Sequence, residues 1–123
     1  MIPLDWPTPA DLAATAETPW VVSAPGTPCR LSTSEVWRQA GINPPIAAEA
    51  GELGSLVALI AAGAGIGLLP RLGIPSDAGR TRSVPGVPTI VRTIYAVTRR
   101  TRDDGPVADA VAALHRIADG ITA

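Results

Sequence analysis

Residues 49–71, EAGELGSLVALIAAGAGIGLLPR, constrain the fold more than any other stretch of this chain. Leu53, Leu56, Val57 and Ile60 fall at i, i+3, i+4 and i+7, which gathers four branched apolar side chains on one helical face. Glu49 and Glu52 stand at the start of that helix, where carboxylates complement the dipole. Ala61-Ala62-Gly63 predicts its end, because glycine tolerates the left-handed cap that other residues resist. Ala64-Gly65 then turns the chain. Ile66-Gly67-Leu68-Leu69 shows no polar alternation and reads as a strand buried on both faces, stopped by Pro70, which has no N–H for a ladder. Helix, glycine turn and strand make half of an α/β layer.

Residues 53–70 also carry no charge and approach the ~18 apolar residues at which a membrane span comes into question. The second half, however, is interrupted by Gly63, Gly65 and Gly67, and each glycine weakens a helix by about 1 kcal/mol against alanine. Helix, turn and strand is therefore the reading, and no membrane span is expected.

The rest of the chain can be placed against this stretch. Thr8-Pro9-Ala10-Asp11 has a hydroxyl cap, a proline at the first position and a carboxylate three residues on, which predicts a short helix from about Pro9 to Ala16. Trp20-Val21-Val22 reads as a buried strand, and Ser23 to Pro28 as a loop running into a second helix. That helix starts either at Thr27, before Pro28, or at Ser32, three before Glu35, and ends near Ala40 with Gly41 as its cap. Asn43-Pro44-Pro45 is a turn, and Ile46 to Glu49 a short strand. Helix and strand alternate up to Pro70, which argues for parallel strands joined by crossover helices.

Beyond Pro70 the character changes. Leu72 to Pro88 is rich in Gly, Pro and Ser and reads as surface loop with room for one short edge strand. Thr89 to Arg99, TIVRTIYAVTR, is the most β-prone run of the chain. A charged turn over Arg100–Gly105 leads to a last helix from Pro106, on which Val107, Val111, Leu114 and Ile121 share a face with Ala110 and Ala118.

Size and charge limit the function classes. A chain of 123 residues is expected to form one domain. Its core must be aliphatic, with no Phe, three Trp and one Tyr. Ten arginines, no lysine and a net charge of −1 give no electrostatic footprint for nonspecific DNA binding. The single Cys29 excludes an internal disulfide and fits a reducing cytosol. MIPLDWPTP has no positive region followed by an apolar one, so no signal peptide is expected and the cytoplasm is the expected location.

Several residue patterns point towards chemistry and fall short of it. Gly63, Gly65 and Gly67 resemble a dinucleotide loop, but they lie between helix and strand, whereas phosphate binding needs strand, loop and then helix. Cys29 stands in the first turn of a helix, and His115, the only histidine, lies far along the chain; a small helix-start residue is the plainer reading. One Cys and one His do not make a structural zinc site. No catalytic, metal or cofactor site is expected. Two strand-to-helix junctions remain, Ser23 to Thr27 and Glu49 to Glu52. Parallel strands would bring both to the carboxyl edge of the sheet, where α/β folds bind ligands and where free backbone N–H groups suit a carboxylate or phosphate. Capping and turning explain Ser23 and Thr27 equally well.

PWVVSAPGTPCR, a helix ending in QAGINPP, AAEAGELGSLVALIAAGAGIGLLPRLG and RTIYAVTRR together resemble the C-terminal effector-binding domain of LysR-type transcriptional regulators. In that family a motif LVAAGxGxxLLP closes a helix and enters a strand; here it reads LIAAGAGIGLLP. The resemblance runs from Asp11 to about Ile121. It implies an α/β, periplasmic-binding-protein-like (type 2) subdomain with a mostly parallel sheet flanked by helices. It also implies a small-molecule effector, often an organic acid and so carboxylate-bearing, bound in a cleft between two subdomains.

The family's winged helix-turn-helix, linker helix and most of its first subdomain have no counterpart here. Residues 18–87 resemble the second subdomain, and 89–121 the returning strand and C-terminal helix that complete the first. DNA contact is expected only through that missing N-terminal part. The resemblance implies half a cleft: Ser23, Pro25, Gly26 and Thr27 at one junction, Glu49 and Gly51 at the other, and Leu69 and Pro70 at a strand end. The Ser23 loop matches the cleft-facing position best. The last strand and helix would expose apolar faces, and are expected to fold back onto the half domain or to pair with a second copy as a homodimer. A stand-alone dimerisation module that binds no ligand is the alternative function.

Overall fold

The computed structural model describes residues 1–84, 90–99 and 105–122. Its elements are β1 (Ile2–Pro3), β2 (Trp20–Ser23), α1 (Pro28–Ala40), β3 (Ile46–Ala50), α2 (Leu53–Ala61), β4 (Thr81–Arg82) and α3 (Pro106–Thr122), with single 3-10 turns at Ala13–Thr15 and Arg71–Gly73. The chain falls into two compact units, Met1–Ile90 and Val91–Ala123. The reason lies in the core: every buried hydrophobic residue among those described falls between Ile2 and Ile66, so only the first unit has one.

β2 is the centre of the first unit. All four of its residues are buried, as a continuous apolar run in a central strand requires. β3 pairs with it in parallel, Val21 opposite Ala48 and Ser23 opposite Ala50, and α1 makes the crossover. Side chains alternate across the strand. Trp20 and Val22 face a cluster with Ile2, Trp37 of α1 and Ile66. Val21 faces the other way, against Leu56 and Ile60 of α2. The predicted face of α2 is the buried one, with Leu56, Val57 and Ile60 all inaccessible. Helices thus cover the sheet on both sides, and Trp20 meets Trp37 edge to face at 5.4 Å.

The helix ends follow their cap residues. Thr27, not Ser32, starts α1: its Oγ1 accepts from the Arg30 N–H at 3.2 Å and its hydroxyl donates to the Ala24 carbonyl at 2.8 Å. Gly41 closes the helix at φ +68°, with the N–H groups of Gly41 and Ile42 donating to the carbonyls of Arg38 and Trp37. Removing the Thr27 hydroxyl (Thr27→Ala) is expected to destabilise the fold by about 1 kcal/mol in urea unfolding. Ser32→Ala should stay within about 0.5 kcal/mol, since the Ser32 hydroxyl only donates back to the Pro28 carbonyl on an exposed turn. On the outer face of α1, hydrogen bonds from Arg38 and Gln39 hold the Glu35 carboxyl down at about 2.

Three expectations are corrected. The helix over Pro9–Ala16 reduces to one 3-10 turn, with the Ala14 N–H bonded to Asp11 at 2.8 Å and no cap from Thr8. Of that segment only Thr15 is buried, too little burial to offset the nucleation of a longer helix. The strand over Ile66–Leu69 is a single parallel bridge from Ile66 to Trp20. Its hydrogen bonds are nonetheless sound: the Val21 N–H donates to the Ile66 carbonyl at 2.7 Å and the Ile66 N–H to Pro19 at 3.0 Å. On the other side the Gly67 N–H donates to Met1 at 3.0 Å. Beyond Gly67 the chain leaves β2, and Pro70 has no donor with which to resume pairing.

The third correction concerns the C-terminal third. Residues 90–99 form no strand, and Val91, Ile94, Tyr95 and Val97 are exposed, Val97 at 91%. β propensity reports packing on a neighbouring strand, and no such neighbour pairs with this run among the described residues. Thr89, the start of the expected returning strand, and most of the charged turn over Arg100–Gly105 lie outside those residues. α3 forms as predicted from Pro106, with Leu114, Ile117 and Ile121 exposed along it.

The sheet is parallel only in part. β1 and β4 form a second, antiparallel pair, Ile2 opposite Arg82 and Pro3 opposite Thr81. β4 is the short edge strand expected in the loop after Pro70. An Arg80–Asp5 ion pair and a hydrogen bond from Arg82 to the Trp6 carbonyl at 2.7 Å tie the two together.

Candidate functional site

The two strand-to-helix junctions do meet at one edge. The last residue of β2, Ser23, lies opposite Ala50 at the end of β3, and the Ala24 N–H donates to the Ala50 carbonyl at 3.1 Å. Crossover through α1 forces this: a parallel pair must present both carboxyl ends on the same side. Pro25 and exposed Gly26, at φ +81°, form the turn that drops from β2 into α1. Gly51 is exposed directly after β3, and Glu52 caps α2 without a side-chain hydrogen bond.

One residue that the sequence reading passed over joins these parts. Arg30 lies in the first turn of α1, and its Nη1 donates both to the Ser23 carbonyl at 3.1 Å and to Glu49 Oε1 at 3.0 Å. Its side chain is only 17% exposed, whereas that of Glu49 is 43% exposed. The Nε and Nη2 groups have no partner among the described residues, which leaves the edge that grips a carboxylate with two parallel hydrogen bonds. A signal for Arg30 did exist. A cation in the first turn of a helix opposes the dipole, so its presence there calls for a compensating role.

The remaining predicted residues take different places. Ser23 is buried at the strand end, and its hydroxyl has no partner among the described residues. The Thr27 hydroxyl is fully engaged in capping. Leu69 packs into the apolar cluster around Val21, Leu56 and Ile60, and Pro70 leads into the 3-10 turn at Arg71–Gly73. Neither Leu69 nor Pro70 takes part in the Arg30 hydrogen bonds. Cys29 is half-buried beside Arg30 in the first turn. No group of three or more His, Cys, Asp or Glu side chains among the described residues could hold a metal, and no helix there is long and apolar enough to cross a membrane.

The comparison with protein families finds the LysR substrate binding domain over residues 2–118. No curated protein and no solved structure matches the chain. The family match spans both the Ser23–Arg30–Glu49 edge and the glycine-turned stretch from α2 to Pro70, and the α/β arrangement around β2 is compatible with its periplasmic-binding-protein-like type 2 fold. With 117 of its 123 residues inside that match, the chain belongs to the LysR substrate-binding domain family, whose members are parts of transcription regulators.

Proposed function

We propose that this chain is the effector-binding portion of a LysR-family transcriptional regulator and that it senses a small organic acid at the carboxyl ends of β2 and β3. The observation that carries this is Arg30. Its guanidinium is anchored on one nitrogen by the Ser23 carbonyl and Glu49, and its other edge is available to an anion. The Ser23 hydroxyl, the Pro25-Gly26 turn, Thr27, Glu49 and Gly51 belong to the same edge, and Leu69 and Pro70 remain candidates through the family resemblance alone. In this reading the protein works in the cytoplasm, no cofactor takes part, and DNA contact belongs to the winged-helix part that regulators of this family carry.

A thermal-shift screen against small carboxylates, amino acids and aromatic acids tests the reading. Binding to the folded state adds RT ln(1 + [L]/Kd), about 2.7 kcal/mol at a hundredfold excess over Kd. One chemical class is expected to raise the midpoint. That rise should vanish in Arg30→Met and weaken in Ser23→Ala, while both variants still melt cooperatively. Glu49→Gln should bind the same acid more tightly, because it removes a negative charge beside the guanidinium that repels the incoming anion. A flat panel from a cooperatively melting protein would remove the sensor reading.

A second reading is favoured by the exposed apolar side chains of residues 91–97 and of α3. In it the chain is a dimerisation module that binds no ligand and pairs these surfaces with a second copy. Light scattering across a dilution series distinguishes the two: a dimer with a flat ligand panel supports the module alone.

A further inference from the structure

The edge that carries Arg30 is not simply cationic. Glu49 Oε1 accepts from Arg30 Nη1 at 3.0 Å, so the guanidinium has a carboxylate beside it before any ligand arrives. The other oxygen, Glu49 Oε2, has no hydrogen-bond partner among the described residues, and the side chain is 43% exposed. Glu52 stands three residues further on, at the start of α2. It is exposed, makes no side-chain cap and forms no ion pair among the described residues. One positive side chain therefore stands against two negative ones.

The groups that favour an anion are fixed in place. Arg30 is held at Nη1 by the Ser23 carbonyl as well as by Glu49, and its Nε–Nη2 edge has no partner among the described residues. The N-termini of α1 and α2 add partial positive charge to the same edge. Ser23 is 7% exposed, and its hydroxyl makes no hydrogen bond among the described residues. The fully buried side-chain atoms without a partner there are the indole Nε1 groups of Trp20 and Trp37, so the Ser23 hydroxyl is still reached by solvent.

A plain carboxylate would meet a cation whose field Glu49 already offsets. A molecule with an ammonium a few bonds from its carboxylate satisfies both signs of charge. We propose that the effector is zwitterionic, an amino acid whose carboxylate takes the Nε–Nη2 edge of Arg30 and whose ammonium takes the free oxygen of Glu49. Glu52 adds negative potential on the ammonium side. This rests on the sensor reading above and narrows its ligand class. Glu49 is then a specificity residue: an analogue without the ammonium sets two carboxylates side by side, and the site rejects it by that repulsion.

The test uses pairs of probes that differ only in the ammonium. Each α-amino acid of proteins is set beside the carboxylate that lacks it, as leucine beside isocaproate and phenylalanine beside hydrocinnamate. Isothermal titration of the full chain at neutral pH reads both affinities. In at least one pair the amino acid is expected to bind about tenfold more tightly or better. Glu49→Gln should weaken that amino acid, which loses the partner of its ammonium, and tighten the plain acid, for which only the repulsion is removed. If the plain acid binds as tightly as the amino acid in every pair that binds, the zwitterionic class is overturned while the organic-acid sensor stands. An unchanged ratio in Glu49→Gln would overturn the role of Glu49. If no member of any pair binds, the sensor reading and this inference fall together. The comparison within pairs needs no variant, so it decides the ligand class even if Glu49→Gln does not fold.

Discussion

Ile60→Ala is expected to lower stability by about 2–5 kcal/mol, the range for truncating a fully buried branched side chain. Ile60 is 0% exposed and lies between α2 and β2, packed with Val21 and Leu56. Its δ-methyl also approaches Gly67, within 2.9 Å of where a Cβ would stand there. Truncation would therefore open a void that touches α2, β2 and the bridge segment at once, with little freedom for any of them to collapse into it. Total stabilities of about 5–15 kcal/mol make this a large fraction, so the urea midpoint should fall steeply. Ile60→Val, which loses one methylene, should cost only about 0.5–1.5 kcal/mol. A loss below about 1 kcal/mol for alanine would mean that the contact of α2 with β2 is not the main core of this fold.

Gly65→Ala should destabilise by about 3 kcal/mol or more, for a different reason. A Cβ at this position would stand 2.5 Å from the Pro19 carbonyl oxygen and 2.9 Å from its carbon. Both are backbone atoms that cannot rotate away. The Pro19 carbonyl also accepts the Ile66 N–H, so relief of the clash would stretch the hydrogen bond that holds the third segment against β2. Gly54→Ala is the control. Gly54 sits inside α2, where an added methyl would meet nothing within 4 Å, and alanine is the better helix former by about 0.5–1 kcal/mol. The same change is thus expected to destabilise at 65 and to stabilise at 54. Urea unfolding of the two variants side by side checks it; a shift of the same sign in both would remove the steric argument.

These two glycines mark where a sequence can be read directly. Local structure was legible wherever a residue acts on neighbours within a turn or two. The spacing of Leu53, Leu56, Val57 and Ile60 identified the buried face of α2. Thr27 and Pro28 at one end and Gly41 at the other bounded α1, although Ser32 offered a second start that only the finished turn excluded. The apolar run at Trp20–Val22 identified the central strand, and LIAAGAGIGLLP carried the family. Of the candidate site, the meeting of the Ser23 and Glu49 junctions was foreseeable, because parallel pairing across one helix leaves no other arrangement.

What depended on tertiary structure involved partners far apart in the chain. The pairing of Ile2–Pro3 with Thr81–Arg82 joins the two ends of the first unit, and no local spacing announces it. TIYAVTR has strong β propensity yet forms no strand, because propensity becomes structure only when a neighbour supplies the hydrogen bonds and the packing. Arg30 could be noticed as a cation at the wrong end of a helix. Its hold on Glu49, nineteen residues away, required β3 to settle beside β2. A cavity beside Trp20 is the extreme case, since its walls come from separate stretches scattered between Met1 and Val84. By itself the sequence determined which turns, caps and helix faces could form, because those energies arise between near neighbours. Tertiary structure decided which distant groups meet, and with them the charge at one end of β2 and the unpartnered indole at the other.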